Sequence, residues 1–260
     1  MKTYEVMSFG AGVQTTAMAV LACTGRLPKP DFAVFADPQN ESRLTYDYLV
    51  PFKQWMMDRG VRLVTSSRGN IIEDTLKANE GRIDNMPFFV AGVDGKAAPI
   101  MRQCTNAYKV MEVRRAIRKE LGANFGVNVI LWLGISLDEA HRMKESTIGW
   151  IKNKYPLIDL RLTRDDCERV IREAGLAVPP KSACIVCPYH SNDFWLDMKK
   201  SRPDEWAMAC KFDEDMRTRF GSRMRGEVFL HRSLKPLSDA PIGEDAPSLF
   251  GEECEGHCGL

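Results

Sequence analysis

Short apolar runs alternate with helix-like patterns along the first half of the chain. Four runs are typical of buried strands: Tyr4–Phe9, Asp31–Ala36, Val61–Thr65 and Asn128–Ile135. Apolar residues at helical spacing predict three helices between them: Gln14–Cys23, Leu44–Arg59 and Thr105–Leu121. Strands separated by helices of this length indicate an α/β fold, in which a mostly parallel twisted sheet carries helices on both faces.

The second half of the chain is richer in helix-like patterns. They predict a helix over Thr163–Ala174 with Thr163 as its N-cap, a helix over Asp204–Phe220 and a strand over Gly226–His231. The remaining residues from Pro236 onward are rich in Gly, Pro and acids. We therefore predict an α/β domain over residues 1–160, a helical segment over 161–235 and an acidic tail over 236–260.

Composition narrows the class of protein. The chain has 260 residues, 44% of them hydrophobic and 27% charged, which excludes a disordered chain. No apolar run approaches the roughly 20 residues of a membrane helix, and no signal peptide opens the sequence, so we expect a cytoplasmic protein without a membrane partner. The net charge is +1, but the tail from Pro236 carries −6, which leaves +7 on residues 1–235.

A loop of small residues separates the first predicted strand from the first predicted helix. It reads Ser8-Phe9-Gly10-Ala11-Gly12-Val13-Gln14-Thr15-Thr16. Small residues let backbone N–H groups approach an anion, and the helix N-terminus adds partial positive charge. The alternative is an ordinary tight turn, but the carboxyl end of a first parallel strand favours a binding site.

Eight cysteines in a chain without a secretion signal favour metal binding or thiol chemistry over disulfides. Two of them form Cys184-Ile-Val-Cys187, whose spacing lets two thiolates reach one ion or cluster. Two more, Cys254 and Cys258, lie in the last seven residues. Further possible donors to a metal are Cys167, Cys210, Cys254, His190 and His257.

Three segments resemble motifs of known adenine-nucleotide enzymes. Gly10–Thr15 resembles the PP-loop (SGGxxS) of the adenine-nucleotide alpha hydrolases, and Phe35–Glu41 resembles the DTG-type motif of phosphoadenylyl-sulfate (PAPS) reductases. Leu133–Arg142 resembles the GxRxxES…R motif of the same reductases, with Ser136 in place of the usual arginine. Gln14 stands where ATP pyrophosphatases usually carry aspartate. The resemblance implies nucleotide contacts at ten residues: Ser8, Gly10, Ala11, Gly12, Gln14, Thr15, Ala36, Asp37, Gly134 and Arg142.

The cysteines resemble those of adenylyl-sulfate (APS) reductases. Cys104, followed by Lys109-Val110, resembles the second member of their Cys-Cys pair, and Cys184–Pro188 resembles their downstream CxxCxP. In those reductases such cysteines hold a [4Fe–4S] cluster, so the resemblance implies metal ligation by Cys104, Cys184 and Cys187, with zinc as the alternative. The terminus resembles their C-terminal ECGLH, which implies a nucleophilic thiol at Cys258 or Cys254.

Taken together, these resemblances imply a reductase of an adenylated sulfate, APS or PAPS, that is regenerated by a thioredoxin-like reductant. An alternative is an ATP-dependent sulfurtransferase that adenylates a tRNA or DNA base, with Mg²⁺ and a cluster-bound sulfide. The three-cysteine pattern and the basic side of the helix over 105–121 favour this alternative. A nucleotide- and redox-sensing module is the third possibility.

Overall fold

The computed structural model describes residues 2–77, 86–92, 95–122, 126–220 and 227–243. Its strands are β1 Lys2–Ser8, β2 Phe32–Ala36, β3 Leu63–Ser66, β4 Phe89–Ala91, β5 Ala97–Pro99, β6 Val127–Trp132 and β7 Ile151–Lys154. Five of them form one sheet in the order β3-β2-β1-β6-β7, and all four neighbouring pairs are parallel. β4 and β5 form a separate antiparallel pair.

Helices connect the strands and cover the sheet. The α-helices are α1 Val13–Cys23, α2 Arg43–Asp58, α3 Ile71–Lys77, α4 Met111–Glu120, α5 Pro156–Asp159, α6 Arg164–Glu173, α7 Asn192–Ser201 and α8 Pro203–Phe220. A π-helical turn, Asn106–Val110, precedes α4, and 3₁₀ turns lie at Leu137–Arg142 and Leu237–Asp239. Within the described ranges no helix combines the length and the apolar character that crossing a membrane requires.

Alternate residues of the central strands face two different layers, as the pleat requires. Met7 and Phe35 belong to a core with α1, α2 and α6, whereas Val6 and Val34 belong to a core with α4. β2 is buried along its whole length because helices cover both faces. The predicted α/β fold with a mostly parallel sheet and helices on both faces is confirmed.

Most predicted elements are present, with ends that shift by one to three residues. The helix predicted over Thr105–Leu121 comprises the π-helical turn and α4. The predicted N-cap Thr163 accepts a hydrogen bond from the backbone N–H of Asp166, whose side chain in turn accepts from the N–H of Thr163. This reciprocal capping box fixes the start of α6.

Two strand predictions need correction. β6 ends at Trp132 rather than Ile135. Its pairing with β7 extends only as far as Trp132, and the chain then turns into the loop that carries Gly134. In Gly226–His231, the described residues 227–231 contain a single bridge, Phe229 with Phe89, instead of a strand. The apolar residues Val228 and Leu230 are buried there by packing and not by a sheet.

A third core lies beside the sheet. It joins Phe88 and Tyr108 from the first half of the chain to Val186, Trp195 and Phe212 from the second half. The Cys184–Cys187 segment is therefore packed against residues that precede α4 in sequence. The predicted division at residues 160 and 235 stays a prediction.

The pH dependence of stability follows from His231, which is buried in this region. Its Nδ1 accepts from the Ser233 N–H at 3.1 Å and its Nε2 faces the Asn192 Oδ1 at 3.0 Å, an arrangement that suits the neutral ring. Burial, helped by the charge of Arg232, lowers the pKa of His231 from 6.5 to about 4.

We expect the free energy of unfolding to fall as the pH decreases from about 6.5 to about 4, because only the unfolded chain takes up the His231 proton in this window. Between pH 7 and pH 5 the contribution of His231 to this loss is on the order of 1–2 kcal/mol. Urea denaturation followed by circular dichroism should show this loss in the native chain and a smaller one in His231→Gln. An equal loss in His231→Gln, with exposed His141→Gln as the control, would contradict the assignment.

Candidate functional site

The order of the sheet reverses at β1, because β2 and β3 lie on one side of it and β6 and β7 on the other. Ligands of open parallel sheets bind at such a switch point, beyond the carboxyl ends of the strands. The described residues enclose a cavity of about 330 Å³ there, which we call the switch-point cavity. This volume is in the range of small-molecule sites.

The predicted nucleotide contacts gather around this cavity. Its lining includes Ser8, Gly10, Gly12, Gln14, Thr15, Ala36, Gly134 and Arg142. Ala11 and Asp37 lie outside the set of described residues that line it. Asp37 instead organises the turn after β2, where its Oδ1 accepts hydrogen bonds from the Tyr46 hydroxyl and the Gln39 N–H, both at 2.7 Å.

In the loop after β1, a residue other than glycine adopts a backbone conformation that favours glycine. Ala11 is buried and has φ +57°, the left-handed conformation that favours glycine. The Thr15 hydroxyl accepts from the Gly10 N–H at 3.3 Å and donates to the Gly12 carbonyl at 3.2 Å. Strain of this kind is found at sites where the surrounding structure fixes the loop.

Helix α1 begins at this loop with its N-terminus toward the cavity. Gly12 is its N-cap residue, no side chain among the described residues caps it, and its first turn contains no acidic residue. The first N–H groups of a helix lack intrahelical partners and carry partial positive charge. This end of the cavity is therefore suited to an anion.

Cations outnumber carboxylates on the wall of the switch-point cavity. The lining cations are Lys109, Arg114, Arg142, Lys144, Arg164 and Lys181, and the lining carboxylates are Glu139 and Glu145. Arg142 and Glu139 form a buried ion pair at 2.8 Å. The wall keeps a positive balance, which favours an anionic ligand.

Gln14 contacts one of these cations, Arg164, without neutralising its charge. Its Oε1 accepts a hydrogen bond from Arg164 Nη1 at 3.5 Å, and the Arg164 backbone N–H donates to Asp138 Oδ1 at 3.1 Å. An amide orients the guanidinium without neutralising it, whereas an aspartate at position 14 would do both.

Sequence reasoning missed three of these cations as site residues: Lys144, Arg164 and Lys181. They belong to none of the recognised motifs and reach the cavity only through the tertiary fold. Lys144 was not recognisable because its place depends on the Tyr155 hydroxyl, which accepts from the Lys144 N–H at 2.9 Å. Arg114 had a signal in the sequence, since it lies on the polar side of the predicted helix.

A second, smaller cavity of about 40 Å³ adjoins the first, and we call it the cysteine cavity. Cys104, Cys184 and Cys187 all line it, and their role as metal ligands stays a prediction. Lys109, Lys181 and Ser182 line both cavities and form the wall between them.

The Cys184–Cys187 turn is held by His190. The Cys187 N–H donates to the Cys184 carbonyl at 3.1 Å, and His190 Nε2 donates to the same carbonyl at 2.8 Å. The His190 ring stacks on Phe194, with the ring centroids 3.8 Å apart. Burial lowers the pKa of His190 to about 3, so the ring is neutral near pH 7 and positions the turn.

Other candidate donors lie elsewhere or outside the described residues. Burial raises the pKa of the Cys210 thiol to about 11 and that of Cys167 to about 12. Within the described part of the chain, no group of three or more His, Cys, Asp or Glu lies close enough to hold a metal ion. Cys254, Cys258 and His257 lie outside the described residues.

Neither a protein-family model nor a curated protein matches the chain. Among solved structures, it is similar to the phosphate complex of phosphoadenylyl-sulfate (PAPS) reductase from Candida auris. The identity is 14%, the match covers 69% of this chain and 75% of that one, and the TM-score is 0.44.

Gly134 gives a direct test of how closely the segment after β6 packs against Thr15 at the start of α1. A Cβ at this position would lie 2.6 Å from Thr15 Cγ2 and 3.1 Å from the Thr15 N–H nitrogen. We expect Gly134→Ala to lower the free energy of unfolding by about 1–3 kcal/mol through overpacking. Gly149→Ala, which meets nothing within 4 Å, is the matched control.

The companion variant Thr15→Ser removes the clashing methyl group and keeps the hydroxyl. The double variant Gly134→Ala/Thr15→Ser should therefore recover part of the loss, as measured by urea denaturation, while the backbone contact with the Thr15 nitrogen remains. Equal stability of Gly134→Ala and Gly149→Ala would show that the two segments are less closely packed than the structure indicates.

Proposed function

We propose that the protein is a PAPS/APS reductase-like PP-loop enzyme that binds an adenine nucleotide in the switch-point cavity and acts on it by thiol chemistry. One observation carries this proposal: a cation-lined cavity at the switch point shares a wall with a cavity lined by three cysteines. The proposal assigns anion binding to the first cavity and sulfur chemistry to its surroundings.

The phosphate and sulfate groups of the nucleotide belong, in this proposal, at the N-terminus of α1 and against the cations of the wall. Arg164 contacts the loop through its bond to Gln14. The apolar lining residues Phe35, Leu131 and Leu133 offer a surface for the adenine ring. Such a division into an apolar body and a few polar contacts is typical of cofactor-sized ligands.

The proposed reaction is attack of a cysteine thiolate on the sulfur atom of the adenylated sulfate. A sulfur–sulfur bond forms, the bond between that sulfur and the bridging oxygen breaks, and AMP, or adenosine bisphosphate from PAPS, leaves with the electron pair. A thioredoxin-like dithiol then attacks the cysteine sulfur of the enzyme thiosulfonate, releases sulfite and is itself oxidised as its second thiol frees the enzyme cysteine. Cations at the wall would stabilise both the thiolate and the leaving phosphate.

Cys258 and Cys254 are our candidates for the nucleophile, on the strength of the sequence motif. The described cysteines outside the cysteine cavity suit this role less well. Burial raises the pKa of Cys23 and of Cys210 to about 11, so neither provides much thiolate near pH 7.

The test is a product assay with APS, PAPS and ATP in parallel, in the presence of a thioredoxin-like reductant. We expect sulfite and AMP or adenosine bisphosphate from one of the two sulfonucleotides. One of Cys258→Ser and Cys254→Ser should lose at least about 100-fold in sulfite release, because a serine hydroxyl is a far weaker nucleophile. Cys23→Ser is the matched control, and full activity in both tail variants would remove the mechanism.

We also propose that Cys104, Cys184 and Cys187 hold a [4Fe–4S] cluster. Three thiols on one cavity fit the donor chemistry of iron–sulfur clusters, although as described they are not close enough to form a metal site. When bound, such a cluster would supply a local charge and, with three protein ligands, one open iron position.

Anaerobic purification should give a brown protein with broad absorption near about 400 nm and acid-labile sulfide. We expect Cys184→Ser to lose most of its iron and Cys23→Ser to retain it, as measured by iron and sulfide analysis. A colourless protein that contains zinc would contradict the cluster and support the zinc alternative.

A second candidate function is ATP-dependent sulfur transfer to a tRNA or DNA base. It is favoured by the polar side of α4, where Arg115, Arg118 and Lys119 are exposed and continue from Arg114 at the cavity. Arg118 also lies over the Trp150 ring, with its guanidinium carbon 5.3 Å from the centroid. Pyrophosphate release in the ATP arm of the product assay, dependent on added nucleic acid, would favour this function over reduction.

A further inference from the structure

Behind the wall between the two cavities lies a buried carboxylate that sequence reasoning did not assign. The Glu41 side chain has 0% exposure. Its Oε1 accepts a hydrogen bond from Lys109 Nζ at 2.8 Å, and its Oε2 accepts one from the Ser182 hydroxyl at 3.2 Å. Glu41 thus holds two of the three residues that line both cavities.

The backbone of Glu41 is fixed against the cysteine motif. Glu41 and Cys184 form an antiparallel bridge, flanked by the bonds from the Ser42 N–H to the Ala183 carbonyl at 3.3 Å and from the Ile185 N–H to the Asn40 carbonyl at 2.8 Å. One residue therefore contacts the cysteine segment with its backbone and the shared wall with its side chain.

The next residue fixes Glu41 from the other side. Ser42 is the N-cap of α2, and its hydroxyl donates to Glu205 Oε2 at 3.0 Å and accepts from Arg202 Nη1 at 3.0 Å. Both ends of the short segment are anchored, so the Glu41 carboxylate has a defined position relative to both cavities.

The Glu41 carboxylate acts on the cavities through its ion pair with Lys109. Its side chain is 12% exposed, and its ammonium has three N–H donors, of which one is directed to Glu41. A buried ammonium that loses its counter-ion is destabilised by several kcal/mol, so it moves out to water or loses its proton. In either case both cavities lose a fixed cation.

We infer that Glu41 is a positioning residue that fixes Lys109 in the wall and thereby sets the affinity of the switch-point cavity for an anion. This inference rests on the proposed nucleotide site.

The test is a double-mutant cycle on the 260-residue chain with Glu41→Gln, Lys109→Met and the double variant. AMP affinity is measured by calorimetry. We expect Glu41→Gln to weaken AMP binding by about 5–10-fold, the value of one charge-assisted contact.

The decisive result is the absence of additivity. If Glu41 acts through Lys109, Glu41→Gln has nearly no effect on AMP affinity in the Lys109→Met background. Equal effects in both backgrounds, or no effect in the native background, would overturn the inference. Glu73→Gln, a change in an exposed ion pair with Lys77, is the matched control, and near-UV circular dichroism verifies that each variant is folded.

The binding assay and the cycle separate the two proposals. If AMP does not bind to the native chain, the proposed nucleotide site fails and the inference fails with it. If AMP binds but the cycle is additive, the nucleotide site stands and the inference alone fails.

Discussion

The candidate site depends on one interaction above all, the antiparallel pairing of residues 40–42 with residues 183–185. It joins the end of β2 to a segment about 140 residues later in the chain, and it brings the cysteine cavity against the switch-point cavity. A parallel sheet by itself provides a site for one ligand at its carboxyl edge. The added pairing provides a second cavity with a common wall.

Burial makes this arrangement rigid. The polar groups near the pairing are compensated in pairs: Glu41 by Lys109, and Glu205 by Ser42 and Arg202. A buried carboxylate without such a partner would destabilise the fold by several kcal/mol, so each group has to stay where its partner is. The same requirement that stabilises the fold therefore fixes the orientation of the residues around the two cavities.

The fold was largely accessible from the sequence because it depends on local patterns. The four strand-like runs of the first half and the capping box at Thr163 each involve fewer than about 15 consecutive residues. Over such lengths the pattern of apolar and capping residues predicts secondary structure. The short strand β7 was missed because Ile151–Lys154 contains one buried apolar residue among polar ones. Its place is determined by pairing with β6, which no local pattern reveals.

The site was accessible only in part, for a related reason. Loop residues such as Gly10 and Gly12 are recognisable because the backbone itself forms the site, whereas Lys144, Arg164 and Lys181 reach the cavity from separate elements. Gln14 and Ala11 stand where the resembled motifs carry aspartate and glycine, and Ala11 adopts the left-handed conformation that favours glycine.

These replacements bear on what the cavity is able to bind. A carboxylate at position 14 would face Arg164 and reduce the positive charge near the loop, which suits a site where a metal ion accompanies a triphosphate. The neutral amide leaves the guanidinium charge available to the ligand. Under the proposed function, an anion held by arginine and lysine beside cysteines would be a sulfated or phosphorylated nucleotide bound without a cation. The contact between Gln14 and Arg164 is the feature of the switch-point cavity that supports the proposed reduction over the second candidate function, ATP-dependent sulfur transfer.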